Sequence, residues 1–245
     1  MNNDKSKIYP NVHLGEGVTL EDWVVIGLPP KGAELGQIAT IIEDAAYIRS
    51  HSVIYAGSRI GQNFQTGHRT ILGPGLEIGA NCSVGTDSVV LGYAKFFNRV
   101  KVHGYCYIGA FCVIEEEAWV GPHCVVDSQP DQPTLIMSRA ILGSELYVPP
   151  GLRIGERSLV AAGVSLKQNV PPYRLIAGNP PRALRQITRL TCPYELIDHP
   201  YQADPKEIEE SILARQQEQE DQIFLSRDNW RYKLWESLGC PDFFL

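Results

Sequence analysis

The residues best suited to chemistry here are the histidines, because an imidazole titrates near neutrality and can take up a proton or bind a metal. Six occur in the 245-residue chain. Four of them, His51, His68, His103 and His123, fall in a stretch where an apolar residue recurs at every sixth position. Their hexads begin at Ile48, Thr66, Val102 and Val120, so the starts differ by 18, 36 and 18 residues. If three hexads make one coil, these are whole coils, and all four histidines project along one side of a prism. His68 lies one coil from His51, beside Thr66, with Asn63 and Gln65 adding hydrogen-bonding capacity. A row of polar groups along one edge is what a cleft between subunits needs. The competing reading of each histidine is a turn or packing residue, since this side chain tolerates turn conformations.

The scaffold that must position them is legible in the same spacing. From Ile42 to Val126 every sixth residue is apolar except Thr66, and the fifth position of each hexad is small or apolar, as at Ala46, Ser58, Cys82 and Val100. A helix would show a period near 3.6 and a half-buried strand a period of 2. A period of six fits a short strand and a tight turn, three to a coil, with first and fifth positions facing inward. The pattern predicts an all-β fold, a left-handed parallel β-helix of hexapeptide repeats. Glycine and asparagine near the turns are expected to supply left-handed backbone angles. Cys82, Cys106, Cys112 and Cys124 are spaced by multiples of six and read as buried filler rather than disulfide or metal residues.

The register breaks twice. Sixteen residues separate Ile26 from Ile42, and sixteen separate Val126 from Leu142. Two protruding loops of matching length are expected, near 28–38 and 128–139. The β-helix is expected over residues 1–180, followed by a helical extension over 181–245. Pro181–Arg185 could open a short helix and Asp204-Pro205 a longer one carrying Ile208, Ile212 and Leu213. Gln216 to Gln222 reads as a solvated helix face. Trp230, Trp235, Phe243 and Phe244 are too apolar for a free tail and should pack on the coil or on a neighbouring subunit. Cys192 and Cys240 have no assigned role.

Composition narrows the partners. The chain is 44% hydrophobic and 20% charged, with a formal net charge of -6. No long basic run points to nucleic acid or an anionic membrane surface. The polar N-terminus is unlike a secretory signal, and no apolar stretch approaches the roughly 20 residues that span a bilayer. A cytoplasmic protein is expected.

The stretch Val148 to Tyr173, followed by Leu175-Ile-Ala-Gly-Asn-Pro-Pro-Arg182, resembles the coenzyme A end of the hexapeptide-repeat acyltransferases. The likeness extends from about Ile8 to Arg185. A second stretch, Ile48-Arg-Ser-His-Ser-Val-Ile-Tyr-Ala-Gly with Asn63-Phe-Gln-Thr-Gly-His68, is similar to members that N-acetylate amino sugars on nucleotide carriers. The resemblance implies a homotrimer with active sites between subunits, and acetyl-CoA as co-substrate with no metal. It places the pantetheine near Ala162 and Gly163, beside Pro180, with Lys167 and Arg182 near the CoA phosphates. Acyl transfer to an amine needs a group to take its proton; the residues themselves offer His68 as the catalytic base, Asp127 as a second catalytic residue that orients or accepts from the amine, and His51, Asn63, Gln65 and His123 as acceptor contacts. For Asp127 the alternative is a turn-capping role. For Lys167 and Arg182 it is a solvated surface charge, and for Ala162 and Gly163 ordinary turn geometry.

Three other functions fit the same fold. Relatives that acetylate hydroxyls carry a base histidine in or just before the loop after the central coils, where this chain reads Val126-Asp-Ser-Gln-Pro-Asp-Gln-Pro; that departure favours an amine over a sugar hydroxyl. A zinc lyase of the γ-carbonic anhydrase type holds its metal with histidines five apart, a spacing absent here. A non-catalytic coil would serve as a spacer, since a fold does not fix a function.

Overall fold

The computed structural model describes residues 5–190, 201–202, 204, 206–210 and 229–239. Short strands, most of them two residues long, separated by tight turns wind into a parallel β-helix of triangular section. Face A stacks eight strands, from Lys7–Ile8 to Tyr147–Val148. Face B stacks eight, from Val12–Leu14 to Arg153–Ile154. Face C stacks ten, from Thr19–Leu20 to Arg182–Gln186. The register is strict: Gln65 stands over Ser83, Ser83 over Lys101 and Lys101 over Trp119.

Hexad starts and fifth positions fill the interior, as the period requires. Ile48, Ile54, Leu72, Val100 and Ile108 are fully buried, and the inward Ser52, Ser58, Thr70 and Ser88 are equally inaccessible. Those hydroxyls are satisfied by backbone carbonyls of the next coil, as Ser88 Oγ donates to the His103 carbonyl at 2.9 Å, so their burial costs little. The four described cysteines are free and buried. Burial pushes the Cys82 thiol up to about 11, which suits inert filler.

The turns differ from expectation in one respect. The left-handed positions include asparagines, Asn63 and Asn81, but also Trp23, His51, Tyr93, Tyr105, Phe111 and His123. Side chains at these corners stack on the next coil, and the contacts offset the roughly 1 kcal/mol or more that such angles cost. The glycines that follow the hexad starts serve another purpose. Gly67 has no left-handed angle; a Cβ there would overlap the backbone nitrogen of Thr86 in the coil beside it. These glycines let adjacent coils approach.

Residues 29–39 form the first protruding loop, between Val25–Leu28 and Thr40–Ile42. The second spans only 127–134, because Leu135–Ile136 already rejoins face B against Val113–Ile114. The two insertions are therefore unequal, contrary to the matched pair read from the spacing. The step from Ile26 to Ile42 is one hexad with ten residues inserted, whereas that from Val126 to Leu142 is two hexads with four inserted.

Pro181–Arg185 does not open a helix. Arg182–Gln186 is a strand, antiparallel to Arg174–Ala177. The preceding Arg174–Ala177 pairs with Leu159–Val160 and offers a free edge, and the Gly178–Pro181 turn folds the chain back onto it. Residues 206–210 are helical, with Asp204 Oδ1 accepting from the Lys206 amide at 2.8 Å and Ile208 buried. Ile212, Leu213, Gln216 to Gln222, Phe243, Phe244, Cys192 and Cys240 lie outside the described residues. Trp230–Ser237 is a helix capped by Asn229, whose side chain accepts from the Arg231 amide. It lies on the coil at the corner between faces A and B. Phe111 meets Tyr232 at 4.1 Å and Trp235 edge-on at 5.5 Å. Arg231, fully buried, donates to the Tyr93 carbonyl at 3.0 Å, and Tyr232 Oη donates to the Pro130 carbonyl at 2.8 Å, tying the second loop down. No helix among the described residues is long and apolar enough to cross a membrane.

Candidate functional site

Side chains that leave face C and turn toward face A form one edge of the prism, the C–A corner. His68 sits there. Its Nδ1 is 2.9 Å from Ser50 Oγ and 3.6 Å from Glu21 Oε2, and its amide donates to Thr86 Oγ1 at 3.1 Å. Glu21, Ser50 and His68 occupy three successive coils at the same corner, following Leu20, Ile48 and Thr66. Glu21 is itself held. It accepts from the Ser50 amide at 3.0 Å, Tyr47 Oη at 3.0 Å and Arg49 Nη1 at 3.4 Å. The Ser50 amide above all, then Tyr47, His68 and Arg49, keeps its carboxyl below the usual carboxylate range against the opposing effect of burial. With Nδ1 engaged on this polar side, Nε2 is left for an incoming group. The imidazole is 44% exposed, so a ligand can reach it.

Of the residues singled out from the sequence, His51, His68, His123, Ala162 and Gly163 share this corner. His51 stacks on Trp23 at 6.3 Å, and His123 lies parallel to Tyr105 at 4.8 Å. Gln65 is on the adjoining face C, exposed beside Thr66. Asn63 is on another corner, between faces B and C, where its side chain donates to Asn81 Oδ1 at 3.1 Å. Asp127 is on the third corner, between faces A and B. Its Oδ1 accepts from the Ser128 amide at 2.9 Å, and its carbonyl accepts from Thr134 Oγ1 at 2.7 Å. Within one chain, then, Asp127 closes the second loop and does not meet His68.

Toward the C-terminal end the same corner loses its side chains. Gly163 has a left-handed angle and open space where a Cβ would stand. Asn179 braces it, donating from Nδ2 to the Gly163 carbonyl at 2.7 Å and accepting from the Ser165 amide at 3.2 Å. Pro180 and Arg182 follow in this hairpin and are exposed. Lys167, also exposed, lies between the bridges that continue face A at Ser165 and face B at Val170. Ala162 stands five rungs from His68 on face C, about 24 Å at strand spacing. The corner can therefore hold a long thin ligand with its reactive end at the histidine.

Sequence reasoning missed Glu21, Ser50, Tyr47 and Arg49. It also missed a groove of about 350 Å³ on face C, lined by Gln65, Gly67, Ser83, Gly85, Lys101 and His103 among others. His103 packs on Trp119 at 4.5 Å. Burial, with Lys101 nearby, holds its imidazolium form below the ordinary range.

No protein-family model matches the chain. A tetrahydropyridine-dicarboxylate N-acetyltransferase of Brevibacillus brevis is 31% identical over 86 residues, 35% of this chain and 33% of that one. The bifunctional protein GlmU of Streptococcus equi subsp. zooepidemicus is 26% identical, over 77% of this chain and 34% of its own. The chain thus spans about a third of the length of these curated relatives. Among solved structures, the UDP-N-acetylglucosamine acyltransferase LpxA of Bacteroides fragilis superposes with a TM-score of 0.59 at 16% identity, covering 76% of this chain and 74% of that one. The fold is the left-handed parallel β-helix of the hexapeptide-repeat acyltransferases, and the homologues bear acetyltransferase and acyltransferase names.

Proposed function

We propose that the protein is an acetyl-CoA-dependent N-acyltransferase acting on an amino sugar carried by a nucleotide, at clefts between the subunits of a homotrimer in the cytoplasm. The observation that carries the reading is His68, backed by Ser50 and Glu21 on the same corner as the open Ala162–Gly163 turn. The relatives' names supply the reaction class, and an acylglucosamine N-acyltransferase with a UDP carrier among them supports the acceptor.

In this reading the CoA arm runs along the C–A corner from Gly163, Pro180 and Arg182 toward His68, and Lys167, on the A–B corner, reaches its phosphates from a neighbouring subunit. The acceptor amine attacks the thioester carbonyl, forming the C–N bond. His68 Nε2 takes the amine's surplus proton, and Glu21 stabilises the imidazolium that results. As the C–S bond breaks, the proton passes to the CoA thiolate. His51 and His123 lie within the same cleft. Asp127, on the A–B corner, can enter it only from a neighbouring subunit. The trimer is supported by the outward column of face A, where Val125 and Tyr147 are 40% and 42% exposed and Val25, Val53, Ile71 and Tyr107 continue the apolar row.

Mass spectrometry of nucleotide amino sugars incubated with protein and acetyl-CoA tests the proposal. One compound should gain a single acetyl group. If no amine is acetylated while a sugar hydroxyl is, the acceptor assignment fails.

A further inference from the structure

We infer that Trp23, with His51 stacked against it, is a platform for the base of a nucleotide-linked acceptor, at the C–A corner on the side of His68 away from the coenzyme. The inference rests on acyl transfer at His68 and specifies which part of the acceptor this end of the corner holds.

Position comes first. Trp23, His51, Arg69, Asp87, Tyr105 and His123 occupy the same left-handed position of successive coils at this corner. They follow the first six strands of face C, Thr19–Leu20 through Trp119–Val120. His68 immediately precedes Arg69, so Trp23 lies two rungs from it, about 10 Å at strand spacing. The open turn at Ala162 and Gly163 is on the opposite side of His68. A CoA arm that reaches His68 from Gly163 ends there, and the corner at Trp23 is left to the acceptor.

The ring itself is placed for a ligand. Trp23 has a φ of 65°, an angle that is costly for a bulky side chain. Tyr93 and Phe111 hold left-handed positions at the A–B corner, but they stack at 5.2 Å, Tyr232 and Trp235 of the C-terminal helix pack on Phe111, and both rings are buried. Trp23 meets His51 more loosely, at 6.3 Å with 28° between the rings, and is 53% exposed. Tyr105 and His123, on the coenzyme side of His68, lie closer, at 4.8 Å and 1°. The indole thus presents over half its surface to solvent, backed by an imidazole. Stacking on such a ring suits any base, since each has a π-face. The distance sets the acceptor's length. An amine at His68 and a base on Trp23 need a spacer of about 10 Å or more between them, which a sugar joined to a nucleoside through a diphosphate supplies and a simple nucleoside amine does not.

The test compares the intact protein with Trp23→Asn and Trp23→Phe. Asparagine adopts the left-handed angle at lower cost and removes the ring; phenylalanine restores a ring. Acetyl transfer is followed to a nucleoside diphosphate amino sugar and to the same amino sugar as its 1-phosphate. Trp23→Asn should raise KM for the nucleotide-linked acceptor about 10- to 100-fold, leave kcat and the 1-phosphate within about twofold, and be largely rescued by Trp23→Phe. KM for acetyl-CoA should not move. A second measurement needs no turnover. The indole N–H resonance that is missing from Trp23→Asn should shift when uridine diphosphate is added to the wild type, and not when inorganic pyrophosphate is added. That response without acetylation of any acceptor sustains the platform and removes the reaction. A loss of assembled mass in Trp23→Asn would make the ring a subunit contact and overturn the inference. Equal losses on both acceptors, a rise in KM for acetyl-CoA, or no response to uridine diphosphate overturns it as well.

Discussion

Glu21→Gln isolates the electrostatic part of the His68 arrangement, because it keeps the shape of the side chain and removes only its charge. In the proposed reaction the histidine becomes cationic as it takes the amine proton, with the Glu21 carboxylate 3.6 Å from Nδ1. Coulomb's law at that separation gives about 1 kcal/mol in bulk water and about 5 kcal/mol at an effective dielectric near 20. The two side chains are 44% and 25% exposed, so solvent screening places the effect near the lower end, about 1–2 kcal/mol. That is roughly a 5- to 30-fold loss in kcat, with KM for acetyl-CoA little changed. Steady-state kinetics on a double-mutant cycle supplies the decisive assay. His68→Ala alone should cost about 10²–10⁴ in turnover, and adding Glu21→Gln should then cost less than twofold, since the charge it would stabilise no longer forms. If the two losses multiply, Glu21 acts on something other than His68. If Glu21→Gln leaves kcat untouched, the carboxylate is a structural brace for Ser50 and Arg49 only.

Two further outcomes follow from burial. Phe111→Ala removes the ring on which Tyr232 and Trp235 rest and should destabilise the protein by about 3–5 kcal/mol; a midpoint in urea unchanged within 1 kcal/mol would mean that the C-terminal helix does not depend on the coil. His103, whose imidazole is held below its ordinary range by burial, should make stability fall as pH drops through about 6.5, because the unfolded chain takes up the proton at a higher pH than the folded chain does. Denaturation at pH 7.5 and 5.5 checks the sign, and His103→Gln should flatten that part of the curve; a steeper fall in the variant would contradict it.

The β-helix was legible because the constraint behind it repeats. Each coil must put small or apolar residues at the same two inward positions, so Ile42 to Val126 carries the period without help from tertiary context. The histidines were legible for the same reason, their spacing being whole coils. Where a partner reached across an insertion, the arithmetic failed. Glu21, Ser50 and His68 are stacked neighbours, yet ten residues inserted after Ile26 put Leu20 and Ile48 out of phase with the eighteen-residue coil. Ile136 was hidden in the same way behind a four-residue insertion, which made unequal loops look alike. Pro181–Arg185 was misread for a different reason. Its residues favour a helix locally, but the open edge of Arg174–Ala177 outweighs that propensity by pairing with it.

The same arithmetic bears on the chemistry. A solenoid places each side chain by column and rung, so a functional pair shows itself only when both the column and the inserted lengths are known. The Glu21–Ser50–His68 column lies at the edge between faces C and A and can hold a proton acceptor in a fixed orientation. If the carboxylate serves only the proton transfer, Glu21→Gln should lower kcat and leave KM for the acceptor unchanged. A variant that moved both parameters together would mean that Glu21 also helps to hold the acceptor.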